Sequence, residues 1–148
     1  MTSPLRELYQ EVILDHNRRP RNFRRIATPS HHAEGFNPLC GDKLSLTMQV
    51  DGDTVADVAF EGSGCAISKA YASLMTDAVR GKSVEEARSL FERFHRMVTT
   101  PPDAPVEDMG KLAVFAGVRQ FPIRVKCASL AWHTLKAALD RQESISTE

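Results

Sequence analysis

The strongest constraint on the fold is an alternating hydrophobic pattern in the first half of the chain. Residues 43–50, KLSLTMQV, and residues 54–60, TVADVAF, place apolar side chains at every second position, which is typical of strands with one buried face. The intervening DGD is a common hairpin turn signal. These segments therefore predict an antiparallel strand pair, and a third strand is expected within residues 26–36.

After Phe60 the apolar residues change to helical spacing. They recur three or four positions apart over residues 67–78 and again over residues 84–98, which predicts two amphipathic helices. Ser83 and Glu86 form a capping box at the start of the second one.

Three further helices are expected, at residues 4–16, at residues 107–117, and from Pro122 onward. Strands grouped in one block and helices in another indicate an α+β domain. We predict a small antiparallel sheet of about three strands with helices packed on one face. With 148 residues, the chain is expected to form one domain over residues 1–148.

The charge balance excludes a strong global field. Nineteen basic and nineteen acidic residues cancel, so net charge does not predict binding to nucleic acid or to a membrane surface. The sequence contains no apolar run of the ~18 residues that a membrane span needs. Its first residues, MTSPLRELYQ, lack the apolar segment of a secretory signal. We therefore expect a cytoplasmic protein.

Basic residues are concentrated in one segment near the start of the chain. Its five arginines are Arg18, Arg19, Arg21, Arg24 and Arg25. Such a segment suits either a solvated loop or a docking patch for an acidic partner, and the sequence leaves both interpretations open.

Three cysteines and one aspartate are the candidate metal ligands. Cys40 lies in the turn NPLCGD with Asp42 two positions later, Cys65 follows GSG at the start of a helix, and Cys127 is expected near the start of the last helix. Three cysteines cannot all pair within one chain, so free thiols or a metal in a reducing compartment fit better than disulfides. All three are expected at ends and turns.

Zinc accepts thiolates and a carboxylate in tetrahedral geometry. Three thiolates and one carboxylate leave a net charge of about minus two around zinc, which Arg124 and Lys126 near Cys127 would offset. Spacing alone does not establish the site, because the cysteines are 25 and 62 positions apart. Three ordinary half-buried thiols and a turn-capping aspartate are the alternative.

Four motifs occur in order along nearly the whole chain: LYQEVILDH, NPLCGD, GSGCAISKA and FPIRVKCASLAWHTL. Together they resemble the IscU/NifU N-terminal superfamily, and specifically its SufU branch. The resemblance implies an α+β domain that takes part in iron–sulfur cluster assembly with a SufS-type cysteine desulfurase.

Two details of this resemblance favour a zinc-bound sulfur acceptor over a cluster scaffold. Lys126 stands where IscU scaffolds usually carry a histidine that joins the metal site, and residues 94–110 resemble a SufU-type insertion. One departure is Tyr71, where the family more often has a small residue. This tyrosine is expected to alter the rim of the site.

The implied function is that of a zinc-dependent persulfide sulfurtransferase. It would accept sulfur from the desulfurase and pass it to the downstream Suf cluster-assembly complex, without independent turnover of a small molecule. Cys40 is the predicted acceptor, because it lies on a loop beside Gly41, whereas Cys65 and Cys127 are fixed by helices. Arg124 is predicted to give electrostatic support.

Two other functions use the same residues. In the first, the four ligands hold iron or a [2Fe–2S] cluster, and the protein is a scaffold on which clusters are assembled. In the second, the zinc is purely structural and the protein regulates the desulfurase by binding alone.

Overall fold

The computed structural model describes residues 4–38, 40–99, 116, 118–119, 122–141 and 144–146. These residues form four helices and four strands. The helices are α1 (Pro4–Arg18), α2 (Ala66–Val79), α3 (Val84–Thr99) and α4 (Pro122–Leu139), and the strands are β1 (His31–Asn37), β2 (Asp42–Asp51), β3 (Thr54–Ser63) and β4 (Ser144–Ser146).

The strands form one sheet in the order β3-β2-β1-β4. β2 is antiparallel to both β1 and β3, as the alternating pattern predicts, whereas β4 is parallel to β1. The α+β class is confirmed, and the expectation of a purely antiparallel sheet of about three strands is wrong by this added strand. β4 has only three residues, too few to show alternation, and it pairs because α4 returns the chain to the edge of β1.

The helices pack on one face of the sheet and enclose the core. Leu46 and Met48 of β2 lie opposite Phe60 and Val58 of β3, and all four side chains are buried beneath the helices. Trp132 of α4 is buried as well. Its indole stacks on the ring of Phe94 in α3, with 5.1 Å between centroids, and this contact joins α3 to the rest of the core.

Tyr71 belongs to this core. Its side chain is only 1% exposed, and its ring packs edge-on against Phe94 at 5.9 Å. The expectation that Tyr71 lies at the rim of the site is therefore wrong, because α2 turns this position toward α3.

The capping box at the start of α3 is confirmed. The backbone N–H of Glu86 donates to Ser83 Oγ at 3.0 Å, and the N–H of Ser83 donates to Glu86 Oε1 at 3.5 Å. The predicted helix at 107–117 falls almost wholly outside the described residues. Of the predicted insertion at residues 94–110, the first six residues belong to α3. Residues 100–110 lie outside the described residues.

The basic segment wraps around the outer edge of β3. The backbone of Phe60 donates to Asn22 O and accepts from the N–H of Arg24, both at 3.0 Å. The guanidinium of Arg24 pairs with Asp57 and lowers the pKa of that carboxyl. Arg21 pairs with Asp15 of α1 at 2.8 Å. Part of this charge therefore serves to hold the segment against the sheet edge, which it covers.

Among the described residues, no helix combines the length and the apolar character needed to cross a membrane.

β1 and α4 approach each other closely at Gly35. A methyl group at this position would overlap Thr134 Oγ1 and lie 3.1 Å from Leu130 Cδ1. The absence of a side chain at Gly35 lets α4 lie against the sheet. This contact matters for the site, because the same helix carries Cys127.

Gly35→Ala should therefore destabilise the protein by about 1–3 kcal/mol through overpacking. The loss should be clearly smaller when Thr134→Ala removes the clashing hydroxyl. Thr134 Oγ1 donates to Leu130 O within its own helix. Urea unfolding of the parent, both single variants and the double variant measures the coupling. An equal cost of Gly35→Ala in both backgrounds would show that this contact does not limit helix docking.

Candidate metal centre

The predicted ligands meet at one end of the sheet, where β1 ends, β2 begins and β3 leads into α2. Cys40 lies on the turn between β1 and β2, and its N–H donates to Asn37 O at 3.3 Å. Gly41 follows with φ of +72°, a left-handed conformation that favours glycine. The turn returns the chain tightly, so Asn37 faces Asp42 across the strand pair.

Asp42 is a buried carboxylate held by three segments. The residue is only 1% exposed. Oδ1 accepts from the backbone N–H of Cys65 at 2.8 Å, and Oδ2 accepts from Asn37 Nδ2 at 3.2 Å. A buried charge needs such partners. Asp42 is thus more than a turn-capping residue, since it joins β1, β2 and the start of α2.

Gly64 is required by this arrangement. Its φ is +152°, and a methyl group there would overlap Asp42 Oδ1 and lie 3.0 Å from Asp42 Cα. The backbone can pass this close to the carboxylate only without a side chain. The next residue, Cys65, then directs its N–H at Asp42.

Cys65 caps α2 as the sequence predicts. Its Sγ accepts from the N–H of Ser68 at 3.4 Å, and it lies 4.0 Å from Asp42 Oδ2. This sulfur therefore receives a backbone N–H at the positive end of the helix, a position that favours a thiolate.

Cys127 lies deeper than expected. It is the sixth residue of α4 and fully buried, so the expectation that all three thiols occupy ends and turns is wrong for this residue. The helix begins at Pro122, a favoured first-turn residue, which places Cys127 in the second turn, facing the sheet. Burial is the main cause that raises its pKa, followed by its hydrogen bonds to Cys40 and Asp42.

The structure brings three of the four predicted ligands into one group. The ligand atoms of Cys40, Asp42 and Cys127 lie within 4.8 Å of one another, and the two sulfurs are 3.2 Å apart. Cys65 borders the group through its contact with Asp42. Three sulfur donors and one carboxylate oxygen suit zinc, which favours thiolates in a closed tetrahedral site. The residues present therefore fit a zinc ion.

Arg124 lies beside the sulfurs on the exposed side of α4. Its pKa is raised, first by the charge of Cys65 and next by a hydrogen bond to Cys127. This guanidinium can therefore offset negative charge at the site. Lys126 is also exposed, and its ammonium has no lone pair with which to bind a metal.

The histidines take no part in this group. His16 is buried and its Nδ1 lies 2.8 Å from Ser73 Oγ. His95 and His133 form a ring pair between α3 and α4, with 5.9 Å between centroids. Burial lowers the pKa of His133, and His95 lowers it further.

Asn37 is the residue that the sequence analysis missed. It is fully buried, and its Nδ2 donates to Asp42 Oδ2 and to Cys127 Sγ, at 3.2 and 3.4 Å. The signal was weak, since an asparagine before a proline is typical of a turn. Gly64 enters the sequence analysis only as the last residue of the GSG that precedes Cys65.

The fold and the site define a class of protein: a small α+β domain with a group of thiols and a carboxylate at one end of its sheet that could hold a metal ion. A family model described as the NifU-like N-terminal domain matches residues 8–128. The chain therefore belongs to the family of NifU-like N-terminal domains.

Two relatives cover most of the chain at similar identity. The iron–sulfur cluster assembly scaffold protein IscU of Streptococcus pyogenes serotype M1 is 43% identical over 139 residues, 94% of this chain and 87% of the relative. The zinc-dependent sulfurtransferase SufU of Bacillus subtilis is 42% identical over 136 residues, 92% of each chain. Identity alone does not choose between the two names.

Solved structures share the fold. The SufU of Fervidobacterium islandicum AW-1, described as a cluster assembly scaffold protein for the SUF system, superposes with a TM-score of 0.82 at 34% identity, covering 90% of this chain and 97% of that one. A nitrogen-fixing NifU-like protein (N-terminal) from Brucella abortus, at 22% identity, has a TM-score of 0.81 and covers 94% and 96%. The second likeness concerns the fold alone.

Metal removal should lower the thermal stability. The four predicted ligands come from three segments, so a metal bound by them would close long loops of the chain. A metal present at a thousandfold excess over its Kd adds about 4 kcal/mol to the free energy of unfolding. We therefore expect chelation to lower Tm by about 10 °C. Differential scanning calorimetry with metal analysis before and after chelation measures it. An unchanged Tm after proven metal loss would contradict a closed site.

Gly64→Ala should loosen the site without removing a ligand. The methyl group displaces Asp42, so metal exchange to a chromogenic chelator should be about 10- to 100-fold faster, as for other losses of ligand support. Gly52→Ala is the matched control, because Gly52 also has positive φ but nothing within 4 Å of an added methyl group. Equal exchange rates in the two variants would show that the close approach at Asp42 is unimportant.

Proposed function

We propose that this protein is a zinc-dependent sulfur acceptor, which takes persulfide sulfur from a SufS-type cysteine desulfurase and relays it to iron–sulfur cluster assembly. One observation carries the proposal. A half-buried thiol, Cys40, lies on a turn within 3.2 Å of the buried sulfur of Cys127, in a group completed by Asp42. The printed function of the Bacillus relative, a zinc-dependent sulfurtransferase, supports it.

Cys40, Asp42, Cys65 and Cys127 are the residues that would hold zinc. When bound, zinc would keep the thiols deprotonated at neutral pH, where a free thiol is mostly protonated. Arg124 would reduce the repulsion among the sulfurs, as its raised pKa indicates. These roles follow from the donor chemistry and from the short distances within the group.

The three sulfurs differ in how firmly the chain holds them. Cys65 caps α2, and Cys127 lies within α4, which packs on the sheet. Cys40 lies on a turn next to Gly41, where an added methyl group would meet nothing within 4 Å. A sulfur that must reach a partner and return needs this freedom. We therefore assign Cys40 as the acceptor.

The transfer needs no external oxidant or reductant. The Cys40 thiolate attacks the outer sulfur of the partner's persulfide, and a new S–S bond forms on Cys40. The partner's own S–S bond breaks at the same time, and its cysteine leaves as a thiolate. The proton of the persulfide stays on the transferred sulfur, so atoms and charge balance.

The relay is assigned to a downstream Suf cluster-assembly complex in the cytoplasm, where reducing conditions keep three free cysteines unpaired. The described cysteines are free thiols. In this proposal the protein does not turn over a small molecule by itself, since its substrate is the sulfur carried by the partner.

A cluster scaffold is the second candidate, favoured by the printed names of the Streptococcus and Fervidobacterium relatives. The same donors suit iron or a [2Fe–2S] cluster. Lys126 argues against it, because an exposed ammonium at the position before Cys127 adds no ligand. The metal in protein purified without added metal, followed by anaerobic reconstitution with iron and sulfide, distinguishes the two. One zinc per chain and no stable cluster support the acceptor.

After turnover with the desulfurase and L-cysteine, the added sulfur should lie on Cys40. Peptide mapping by mass spectrometry of the alkylated persulfide measures its position. Cys40→Ser should carry no added sulfur, with at least a ~100-fold loss of transfer, because a hydroxyl is not a comparable nucleophile at neutral pH.

Ser83→Ala is a suitable control, since it removes a hydroxyl at the exposed start of α3 and should leave transfer unchanged. Sulfur found on Cys65 or Cys127 in the parent, with Cys40 unmodified, would contradict the assignment of the acceptor.

A further inference from the structure

The buried side chain of Asn37 leaves its carbonyl oxygen without a partner. Asn37 is fully buried at the end of β1, and Oδ1 has no hydrogen-bond partner among the described residues. An unpaired buried carbonyl is a cost that folded chains usually avoid. This cost is offset because Nδ2 of the same amide donates two hydrogen bonds.

The opposite orientation of the amide is worse. Nδ2 donates to Asp42 Oδ2 and to Cys127 Sγ. Turning the amide over would place Oδ1 against two acceptors, a carboxylate oxygen and a sulfur. The surroundings of Asn37 therefore fix it as a donor toward both side chains.

The three sulfurs then differ in the N–H groups that they accept from. Cys65 Sγ accepts from the backbone N–H of Ser68 at 3.4 Å. Cys127 Sγ accepts from Asn37 Nδ2 at 3.4 Å and also from the guanidinium of Arg124. Within the part of the chain that the structure describes, Cys40 Sγ receives only the Cys127 thiol, at 3.2 Å. An N–H donor stabilises negative charge on the sulfur that accepts it. A sulfur held in this way is a weaker nucleophile.

We propose that Asn37 is a positioning residue that selects the acceptor: its amide holds Cys127 Sγ against Asp42 and makes it less nucleophilic, which leaves Cys40 as the reactive sulfur. This inference rests on the proposed sulfur transfer for its biological meaning. The ordering of thiol reactivity can be measured without any transfer.

The experiment is alkylation of the zinc-loaded protein with iodoacetamide, with each cysteine followed over time by mass spectrometry. In the parent protein, Cys40 should react at least ~10-fold faster than Cys127. Asn37→Leu keeps the branched shape and the number of heavy atoms of the side chain and removes the donor. It should raise the rate at Cys127 about tenfold and leave Cys40 nearly unchanged.

Burial also protects Cys127, so two further variants separate protection from hydrogen bonding. Asn37→Ala removes the donor and opens space, so an unchanged rate at Cys127 in this variant overturns the proposal even if Asn37→Leu fails to fold. Thr134→Ala is the matched control, because it removes a buried hydroxyl from the same helix without touching a sulfur. It should leave the pattern of the parent. A faster reaction at Cys127 in Asn37→Ala but not in folded Asn37→Leu would assign the effect to solvent access and overturn the proposal.

Sulfur mapping distinguishes this inference from the proposed function. If Asn37 selects the acceptor, added sulfur should appear on both Cys40 and Cys127 in Asn37→Leu, but on Cys40 alone in the parent. Unchanged alkylation and sulfur on Cys40 alone in both proteins would overturn the role of Asn37 and leave the transfer intact. Altered alkylation without sulfur on any cysteine would overturn the transfer and leave the role of Asn37 intact.

Discussion

The buried carboxylate of Asp42 is the constraint around which the functional end of the fold is arranged. A charge at 1% exposure must find hydrogen-bond donors, and Asp42 finds them in Asn37 and in the backbone of Cys65. To reach the second donor, the chain passes so close that only glycine fits at Gly64. The end of β1, the start of β2 and the start of α2 are thereby fixed relative to one another.

Cys127 and Cys40 are held by supports of different rigidity. Cys127 is held by a helix that lies directly against β1, as the tight contact at Gly35 shows. Cys40 belongs instead to a turn, where its N–H donates to Asn37 O at 3.3 Å. The site thus combines sulfurs held by helices with one sulfur on a turn, which is the arrangement that the proposed sulfur transfer requires.

The secondary structure was largely readable because it rests on periodicity. The alternation of residues 43–60 and the capping box of α3 are local patterns, and both are confirmed. β4 was missed because three residues carry no period, and its pairing depends on where α4 ends. The burial of Tyr71 was not predicted either, because it depends on which face of α2 packs against α3.

The candidate ligands were found from their residue types and local settings, but their environment was not. The amide of Asn37 meets Cys127 across 90 positions of sequence, a contact that depends on how α4 docks. The burial of Cys127 also depends on how α4 docks, because the residue at which the helix begins decides which side chains face the sheet. Contacts between distant segments are set by packing, and a single sequence gives few signals for them.

The order of the ligands along the chain has a consequence for the protein while it is being synthesised. Asp42 and Cys65 are 23 positions apart and meet through one hairpin, whereas Cys127 follows Cys65 by 62 positions. At ordinary elongation speeds this stretch takes on the order of 3–12 s. For that interval, a nascent chain outside the ribosome presents two thiols and a carboxylate without the helix that completes and covers them. These thiols are then open to oxidants, and docking of α4 ends the exposure.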